Sequence, residues 1–161
     1  MSAVKWILGA VAVAVCTLVA WKLSEKFRVR QKFYGDFYLF NKRMCEEMNF
    51  TRNTLPDVLG SFTAQPPFQT VLNDYRRTLD ERLPFSCGEL WFLGEEEKRS
   101  AEEYFSSLGK TDAHTQLAYL RSCEGKLKEL AEKTLSERKK YGTMYIKLGL
   151  LTGIAVLILI L

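Results

Sequence analysis

Two long apolar segments, one near each end of the chain, limit most strongly what this sequence can fold into. Residues 6–21 read WILGAVAVAVCTLVAW, and residues 148–161 contain a single polar side chain. The first segment corresponds to about 22 Å of helix, whereas the hydrocarbon core of a bilayer is about 30 Å thick. Flanking lysines at positions 5, 22 and 147 can reach the interface, and a bilayer thins locally at modest cost. Both segments are therefore predicted to cross a membrane.

Two other interpretations of the apolar segments are less consistent with the sequence. A core helix in so small a domain would need a polar face, and neither segment has one. A cleaved signal peptide needs a small-x-small site after the apolar stretch, and none is present. Val15 precedes Cys16, where a lipoprotein cleavage site needs a small residue. We therefore predict a transmembrane helix at 1–22, a helical domain at 23–145 and a second transmembrane helix at 146–161.

Basic residues cluster where each apolar segment meets the central part of the chain. Residues 22–33 and 133–147 each hold five basic residues and one acidic residue, whereas residues 34–132 hold twelve basic and seventeen acidic residues. Because basic residues beside a span favour the cytoplasmic side, we predict a cytoplasmic central domain with both termini outside. Anionic lipid headgroups are the natural partner of such residues, and the acidic central part argues against nucleic acid. The predicted membrane-contacting residues are Lys22, Lys26, Arg28, Arg30, Arg138, Lys139 and Lys140.

The central domain has helical spacing of apolar residues and no alternating strand pattern. A helix continuing from the first apolar segment ends at NFTRN, and Thr54 caps a second helix that begins TLPDVL. A third apolar stripe comprises Phe68, Val71, Leu72, Tyr75 and Leu79. Ser86 and Glu89 form a capping-box pattern, which predicts a short helix that carries Leu90, Trp91 and Leu93.

Two further helices complete the predicted central domain. One begins at Glu95, Glu96 and Glu97 and ends at Gly109. The other, capped by Thr111 or Asp112, continues into the second apolar segment; its predicted buried face comprises Ala113, Leu117, Leu120, Leu127, Leu130, Ala131 and Leu135. The fold class is therefore all-α, a cytoplasmic bundle of about six helices between two transmembrane helices.

Residues that could carry catalysis or bind a metal do not form a recognisable set. His114 is the only histidine, and no nucleophile is placed with it. The four cysteines lack C-x-x-C or zinc spacing, so they are predicted to be free thiols. LGKTD lacks the earlier glycine of a phosphate loop, and GEEEK is typical of a solvated helix start. We predict a protein that is not an enzyme and has no catalytic residues, metal, cofactor or small-molecule substrate.

Three stretches resemble the stage III sporulation protein AB family of endospore-forming bacteria. TLPDVL stands where the family has T-P/L-L-P-E-A-L, and residues 108–120 follow its L-G-x-[ST]-D-x-x-x-Q-x-x-x-L pattern. Residues 145–153 are similar to its Y-x-x-L-G-x-L-x-G tail. Thr54 and Leu55 directly before Pro56 depart from the family pattern, and SFTAQPPFQTVLNDY agrees only in its helical spacing.

The resemblance implies a structural role. Members of this family act in the mother-cell membrane around the forespore, within the channel complex that links the two cells. Their cytoplasmic domain is similar to helical domains of inner-membrane platform proteins of type II secretion and type IV pilus systems. The implied partners are other stage III sporulation channel proteins, a secretion-type ATPase and membrane lipids.

The end of the bundle remote from its two membrane roots is the predicted partner surface. It comprises Thr54, Pro56, Asp57, Gly109, Thr111, Asp112 and Gln116. The alternative for these residues is helix capping alone. A rival function is a membrane-anchored adaptor or regulator of a cytosolic enzyme outside a secretion machine. A small transporter is disfavoured because spans without ionisable residues offer no polar path.

Overall fold

A computed structural model describes the backbone of residues 2–50, 54–88 and 90–160, with the side chains of all of these except 2–9, 12, 50, 157, 159 and 160. The elements are α1 (Ser2–Phe50), α2 (Leu55–Ser61), α3 (Pro66–Glu81), α4 (Glu95–Ser107), α5 (Ala113–Glu137), a π-helical turn (Arg138–Gly142) and α6 (Thr143–Ile160). The described residues contain no strand, which confirms the all-α fold class.

The chain divides into two compact units. The body comprises Arg30–Lys133, and the terminal unit comprises Met1–Val29 together with Thr134–Leu161. The predicted boundaries at 22–23 and 145–146 were placed from hydropathy alone. The compact body is therefore shorter at both ends than the predicted helical domain.

Aromatic rings fill the core of the body. Phe33, Phe40 and Phe68 are fully buried, as is Phe105 of α4. The ring centroid of Phe105 lies 5.0 Å from that of Tyr75 and 6.1 Å from those of Phe40 and Phe68. The aromatic stripe of α1 is therefore a packing face, as its helical spacing predicts. Each buried aromatic side chain of this size contributes about 1.5–3 kcal/mol through the area that it removes from water.

Two buried polar contacts fix how the body helices pack against α1. The Asn41 side-chain amide donates to the Leu120 carbonyl oxygen at 3.1 Å and accepts from the Tyr104 hydroxyl at 3.0 Å. The Asp36 carboxylate accepts the backbone N–H of Gln65 at 2.6 Å, at the start of α3. Because an unpaired buried polar group costs about 1–3 kcal/mol, these hydrogen bonds favour the observed register of the helices.

The body has five helices in the described residues, and the short helix predicted after Ser86 is absent. Ser86 does not cap; its hydroxyl and the Cys87 N–H both donate to the Glu102 carboxylate of α4. Gly88 has φ +58°, a left-handed conformation that no helix accepts. Glu89, the second half of the predicted capping box, lies outside the described residues.

Three residues of the predicted buried faces are exposed to solvent. Leu79 of α3 and Leu135 of α5 are both 39% exposed, and Ala113 is exposed at the first position of α5. Leu79 lies in the last turn of α3 and Ala113 in the first turn of α5, where fewer neighbouring helices are available to cover a side chain. Leu135 belongs to the terminal unit, outside the core of the body. The predicted face of α5 is confirmed at its middle, where Leu120 and Leu127 are buried.

The terminal unit is an antiparallel helix pair that packs through small residues. A Cβ atom added to Gly149 would lie 2.4 Å from the Cβ of Ala20, and one added to Gly153 would lie 3.1 Å from the Cα of Val13. At Gly142 the nearest atom would be the Ser24 hydroxyl, at 3.4 Å. Gly149 and Gly153 form a G-x-x-x-G pattern, which allows two helix backbones to approach closely.

No helix within the described residues is both long and apolar enough to cross a membrane. The two predicted transmembrane helices are therefore not confirmed. Parts of both predicted segments also lie outside the described side chains, at residues 2–9, 12, 157, 159 and 160.

Candidate membrane and partner-binding surfaces

An aromatic stack in the terminal unit brings two basic segments together. The ring centroid of Phe27 lies 5.4 Å from that of Tyr141 and 5.9 Å from that of Tyr145. The basic residues that flank these rings in sequence thereby meet at one level of the helix pair. We call this set the basic collar; it comprises the exposed residues Lys22, Lys26, Arg28, Arg138, Lys139 and Lys140.

Two of the collar side chains, Lys22 and Lys140, make exposed contacts that a ligand could displace. The Lys22 ammonium lies 3.8 Å from the Glu25 carboxylate, and the Lys140 ammonium lies 5.4 Å from the ring centroid of Tyr141. An exposed ion pair of this kind contributes about 0–1 kcal/mol, so a lipid headgroup could replace it. Whether these residues bind lipid stays a prediction.

Arg30, the seventh residue predicted to contact the membrane, belongs to the body and has a different environment. One of its terminal nitrogens lies 2.6 Å from the Glu97 carboxylate, and the Tyr34 hydroxyl donates to the same carboxylate oxygen at 2.9 Å. The second Glu97 oxygen accepts the backbone N–H of Gly94, at the start of α4. Only 19% of the Arg30 side chain is exposed, so its charge already serves to join α1 to α4.

The Glu97 carboxylate is held in its charged form. Burial by itself would raise its pKa, but the hydrogen bonds from Arg30, Gly94 and Tyr34 outweigh burial and leave the pKa below its ordinary value. The pKa of Tyr34 is raised, first by burial and then by the negative charge of Glu97. The cluster is therefore an ion pair with a neutral phenol, and it stabilises the start of α4.

The predicted partner surface comes together in the body. A Cβ atom added to Gly109 would lie 3.5 Å from Cδ2 of Leu55, so the start of α2 meets the turn between α4 and α5. Gly109 has φ +73°, which a residue with a side chain rarely adopts. The sequence spacing alone therefore located two segments that are neighbours in space.

Several residues of the predicted partner surface have capping roles. The Asp57 carboxylate accepts the Thr54 backbone N–H at 3.2 Å, and the Asp112 carboxylate accepts the Thr115 N–H at 3.1 Å. That second hydrogen bond lowers the pKa of Asp112. Thr54, Pro56, Asp57, Gly109, Thr111 and Asp112 are exposed, and they stay candidates for partner contact.

Gln116 is an interior residue that shapes the turn. It is only 4% exposed, and its side-chain oxygen accepts the Gly109 N–H at 3.1 Å. A partner that touches the turn would not reach this amide directly. Any effect of Gln116 on binding would act through the conformation of residues 109–112.

The residues considered for catalysis are dispersed. His114 is exposed at the start of α5, and no three His, Cys, Asp or Glu side chains among the described residues are placed to hold a metal ion. The four cysteines are free thiols. Burial and the nearby Glu102 raise the pKa of Cys87 to about 12, so this thiol is a poor nucleophile at neutral pH.

The body also contains a groove that the sequence did not predict. It has a volume of about 450 Å³ and lies between α4 and α5, with α1 as its floor. The walls carry small residues where the two helices face each other, which are Ser100, Ala101, Ser122 and Cys123. These short side chains leave the space unfilled, a consequence of helix pairing that no single stretch of sequence shows.

The family of the chain follows from a match that spans almost all of it. The model of stage III sporulation protein AB matches residues 5–161, which include the terminal unit and the body. The chain belongs to the stage III sporulation protein AB family. Its role therefore lies in stage III of sporulation. No curated protein and no solved structure matches the chain.

Proposed function

We propose that this member of the stage III sporulation protein AB family is a membrane-anchored, non-enzymatic scaffold of the mother cell–forespore channel. The terminal unit anchors the chain in the mother-cell membrane around the forespore, and the body recruits partner subunits. Family membership supports the sporulation role. The anchoring, the channel and the partners are the parts that experiments must test.

The observation that carries the proposal is the inverted packing of the terminal unit. Its closest helix contacts are made by Gly149, Gly153 and Ala20, while its large apolar side chains point outward. The exposed set with described side chains includes Val11, Val15, Leu18, Val19, Trp21, Ile146, Leu148, Leu150, Leu151, Ile154 and Ile158, with 42–69% of each residue exposed. Water penalises such a surface, whereas lipid tails accommodate it, and small residues at the helix contact are typical of membrane helix pairs.

The basic collar supports the same conclusion and adds an orientation. Each lysine or arginine close to an anionic membrane surface contributes about 1 kcal/mol of attraction. The six collar residues lie on the body side of both apolar segments in sequence, which favours a cytoplasmic body. Phe27, Tyr141 and Tyr145 supply aromatic rings at the same level, as is common at membrane interfaces.

A scaffold role fits the chemistry of the body better than catalysis does. Its polar clusters are satisfied by internal contacts: Glu97 by Arg30 and Tyr34, and Glu102 by Ser86 and Cys87. Groups that are held in this way are suited to fixing a shape that partners recognise. The proposed partners are other stage III sporulation channel proteins and a secretion-type ATPase, with the exposed part of the predicted partner surface as the contact.

The experiment is a pull-down of the tagged full-length protein from the membranes of sporulating cells. Recovery of several stage III channel proteins in one large complex is expected. Recovery of one soluble enzyme alone would instead identify an adaptor or regulator. Asp57→Lys and Asp112→Lys test the contact surface: loss of partners with unchanged thermal stability supports it, whereas loss that only follows stability assigns these residues to capping.

A further inference from the structure

We infer that the groove between α4 and α5 binds a basic amphipathic helix of another protein. The floor of the groove is apolar, with Phe37 and Tyr104 buried beneath it and Leu127 on one side. A volume of about 450 Å³ is in the range of natural ligand sites and holds two or three large side chains. This site lies wholly within the body, so the inference goes beyond membrane anchoring and does not depend on it.

The groove extends along both α4 and α5. Near the turn that joins them, the ring centroids of Tyr104 and Tyr119 are 6.3 Å apart. At the start of α4, Glu97 is tied to Arg30 and Tyr34 of α1. The lining extends from Glu96 to Tyr104 along α4 and from Tyr119 to Leu130 along α5, so the groove follows about two turns or more of each helix. A groove of this extent can receive one face of a helix.

The negative charge along the rim of the groove determines which charge a bound partner helix would carry. Glu96, Ser100 and Glu103 form one stripe along the exposed edge of α4. Two carboxylates seven residues apart in a helix are separated by about 10.5 Å, or two turns. Within the described part of the chain neither Glu96 nor Glu103 forms an ion pair or a side-chain hydrogen bond. A partner helix with basic residues two turns apart would pair with both.

The remaining charges of the groove are consistent with a basic ligand. The Glu97 charge is already balanced by Arg30 at 2.6 Å, and Lys126 is the cation on the α5 side among the lining residues. An anionic lipid would be repelled by the α4 rim. A second copy of this chain would bring a body with excess negative charge, because residues 34–132 hold seventeen acidic and twelve basic residues.

The test uses the full-length protein in nanodiscs of zwitterionic lipid, with p-benzoylphenylalanine replacing Ser122 at the groove. The probe is a synthetic helical peptide with leucines at positions i, i+3 and i+7 and two lysines seven residues apart. A second peptide carries glutamates in place of the lysines. After illumination, mass spectrometry identifies what is joined to residue 122.

The charge reversal Glu96→Lys with Glu103→Lys is compared with Glu129→Lys plus Glu132→Lys. The second pair lies on exposed positions of α5 outside the groove and changes the net charge by the same amount. Circular dichroism checks that both variants keep their helix content. We expect an adduct with the lysine peptide that falls at least fivefold in the groove variant and less than twofold in the control.

Several outcomes would overturn the inference. Equal adduct with the glutamate peptide, or an equal loss in both double variants, would show that the groove does not select a basic helix. Adducts with lipid or with a second copy of the chain would assign the groove to those occupants. Absence of a peptide adduct above the empty-nanodisc background would show that no such site exists.

Discussion

The body and the terminal unit are built from the same type of helix but fill their interiors in opposite ways. In the body, Phe33, Phe40, Phe68 and Phe105 lie inside. In the terminal unit, glycine and alanine lie inside and the large apolar side chains lie outside. Burial of large side chains stabilises a domain in water, whereas close backbone contact between small residues stabilises helices in lipid. The proposed membrane anchoring of the terminal unit would account for this difference.

The largest expected effect is the loss of a core ring of the body. Phe105→Ala removes a fully buried side chain whose ring packs against Tyr75 and Phe85 at 5.0 and 5.1 Å. We expect a loss of about 3–5 kcal/mol in the free energy of unfolding, measured by denaturant titration of the full-length protein in detergent. Leu151→Ala, at a residue that is 62% exposed in the terminal unit, is the control and should cost far less.

The next prediction compares a glycine at a close helix contact in the terminal unit with a glycine in the body that has open space around it. In Gly149→Ala the new methyl group would lie 2.4 Å from the Cβ of Ala20, so the helices must move apart. We expect the helix pair to lose about 1–3 kcal/mol of stability, measured as faster hydrogen exchange in residues 143–156. Gly125→Ala in α5 meets nothing within 4 Å and should stabilise its helix by about 0.5–1 kcal/mol. Equal behaviour of the two variants would contradict close packing at Gly149.

A comparable effect tests the buried polar contacts of the body. Asn41→Leu leaves the Tyr104 hydroxyl and the Leu120 carbonyl without their partner, and it should cost about 1–3 kcal/mol. Tyr104→Phe added to Asn41→Leu removes the Tyr104 hydroxyl, which the first substitution leaves without its acceptor. The double variant should therefore be less unstable than the sum of the single variants, as measured by denaturant titration. Simple additivity would contradict coupling between these two side chains.

The smallest expected effect is a pH dependence that arises at Glu97. Its pKa is below the ordinary value in the folded protein, so the charged form stabilises the fold. That stabilisation is complete above the unfolded pKa of about 4.3 and is lost as the pH falls through the lower folded pKa. Glu97→Gln should have a lower free energy of unfolding than the original protein at pH 7. The difference between the two should disappear as the pH is lowered. Glu96→Gln controls for the loss of one exposed charge and should show no such convergence.

The sequence predicted those features that depend on local spacing. Thr54, Pro56 and Asp57 indicate the start of α2, and Asp112 indicates the start of α5, because capping involves residues three or four positions apart. The end of α4 is also a local feature, because a glycine such as Gly109 directly after a helix is typical of helix ends. The predicted partner surface combines two such caps, and the start of α2 and the turn at Gly109 are neighbours in the body. Partner binding there stays a prediction.

Features that depend on distant residues could not be predicted from local spacing. Ser86 has the spacing of a capping residue, but Glu102, sixteen positions later, takes its hydroxyl and no helix forms. Arg30 has the sequence position of a membrane-proximal base, yet Glu97 holds it in the body. The groove could not be predicted because residues of α1, α4 and α5 line it together, which is a tertiary property.

The most direct test of the contrast between the two units is labelling of the full-length protein in liposomes by a lipid-soluble carbene reagent, with labelled residues located by mass spectrometry. The account predicts labels on the outward residues of the terminal unit, such as Leu18, Leu148, Leu151 and Ile158, and none on Phe33, Phe40 or Phe105. Absence of labels from the terminal unit, together with release of the protein by alkaline carbonate, would contradict membrane anchoring and the proposed scaffold role.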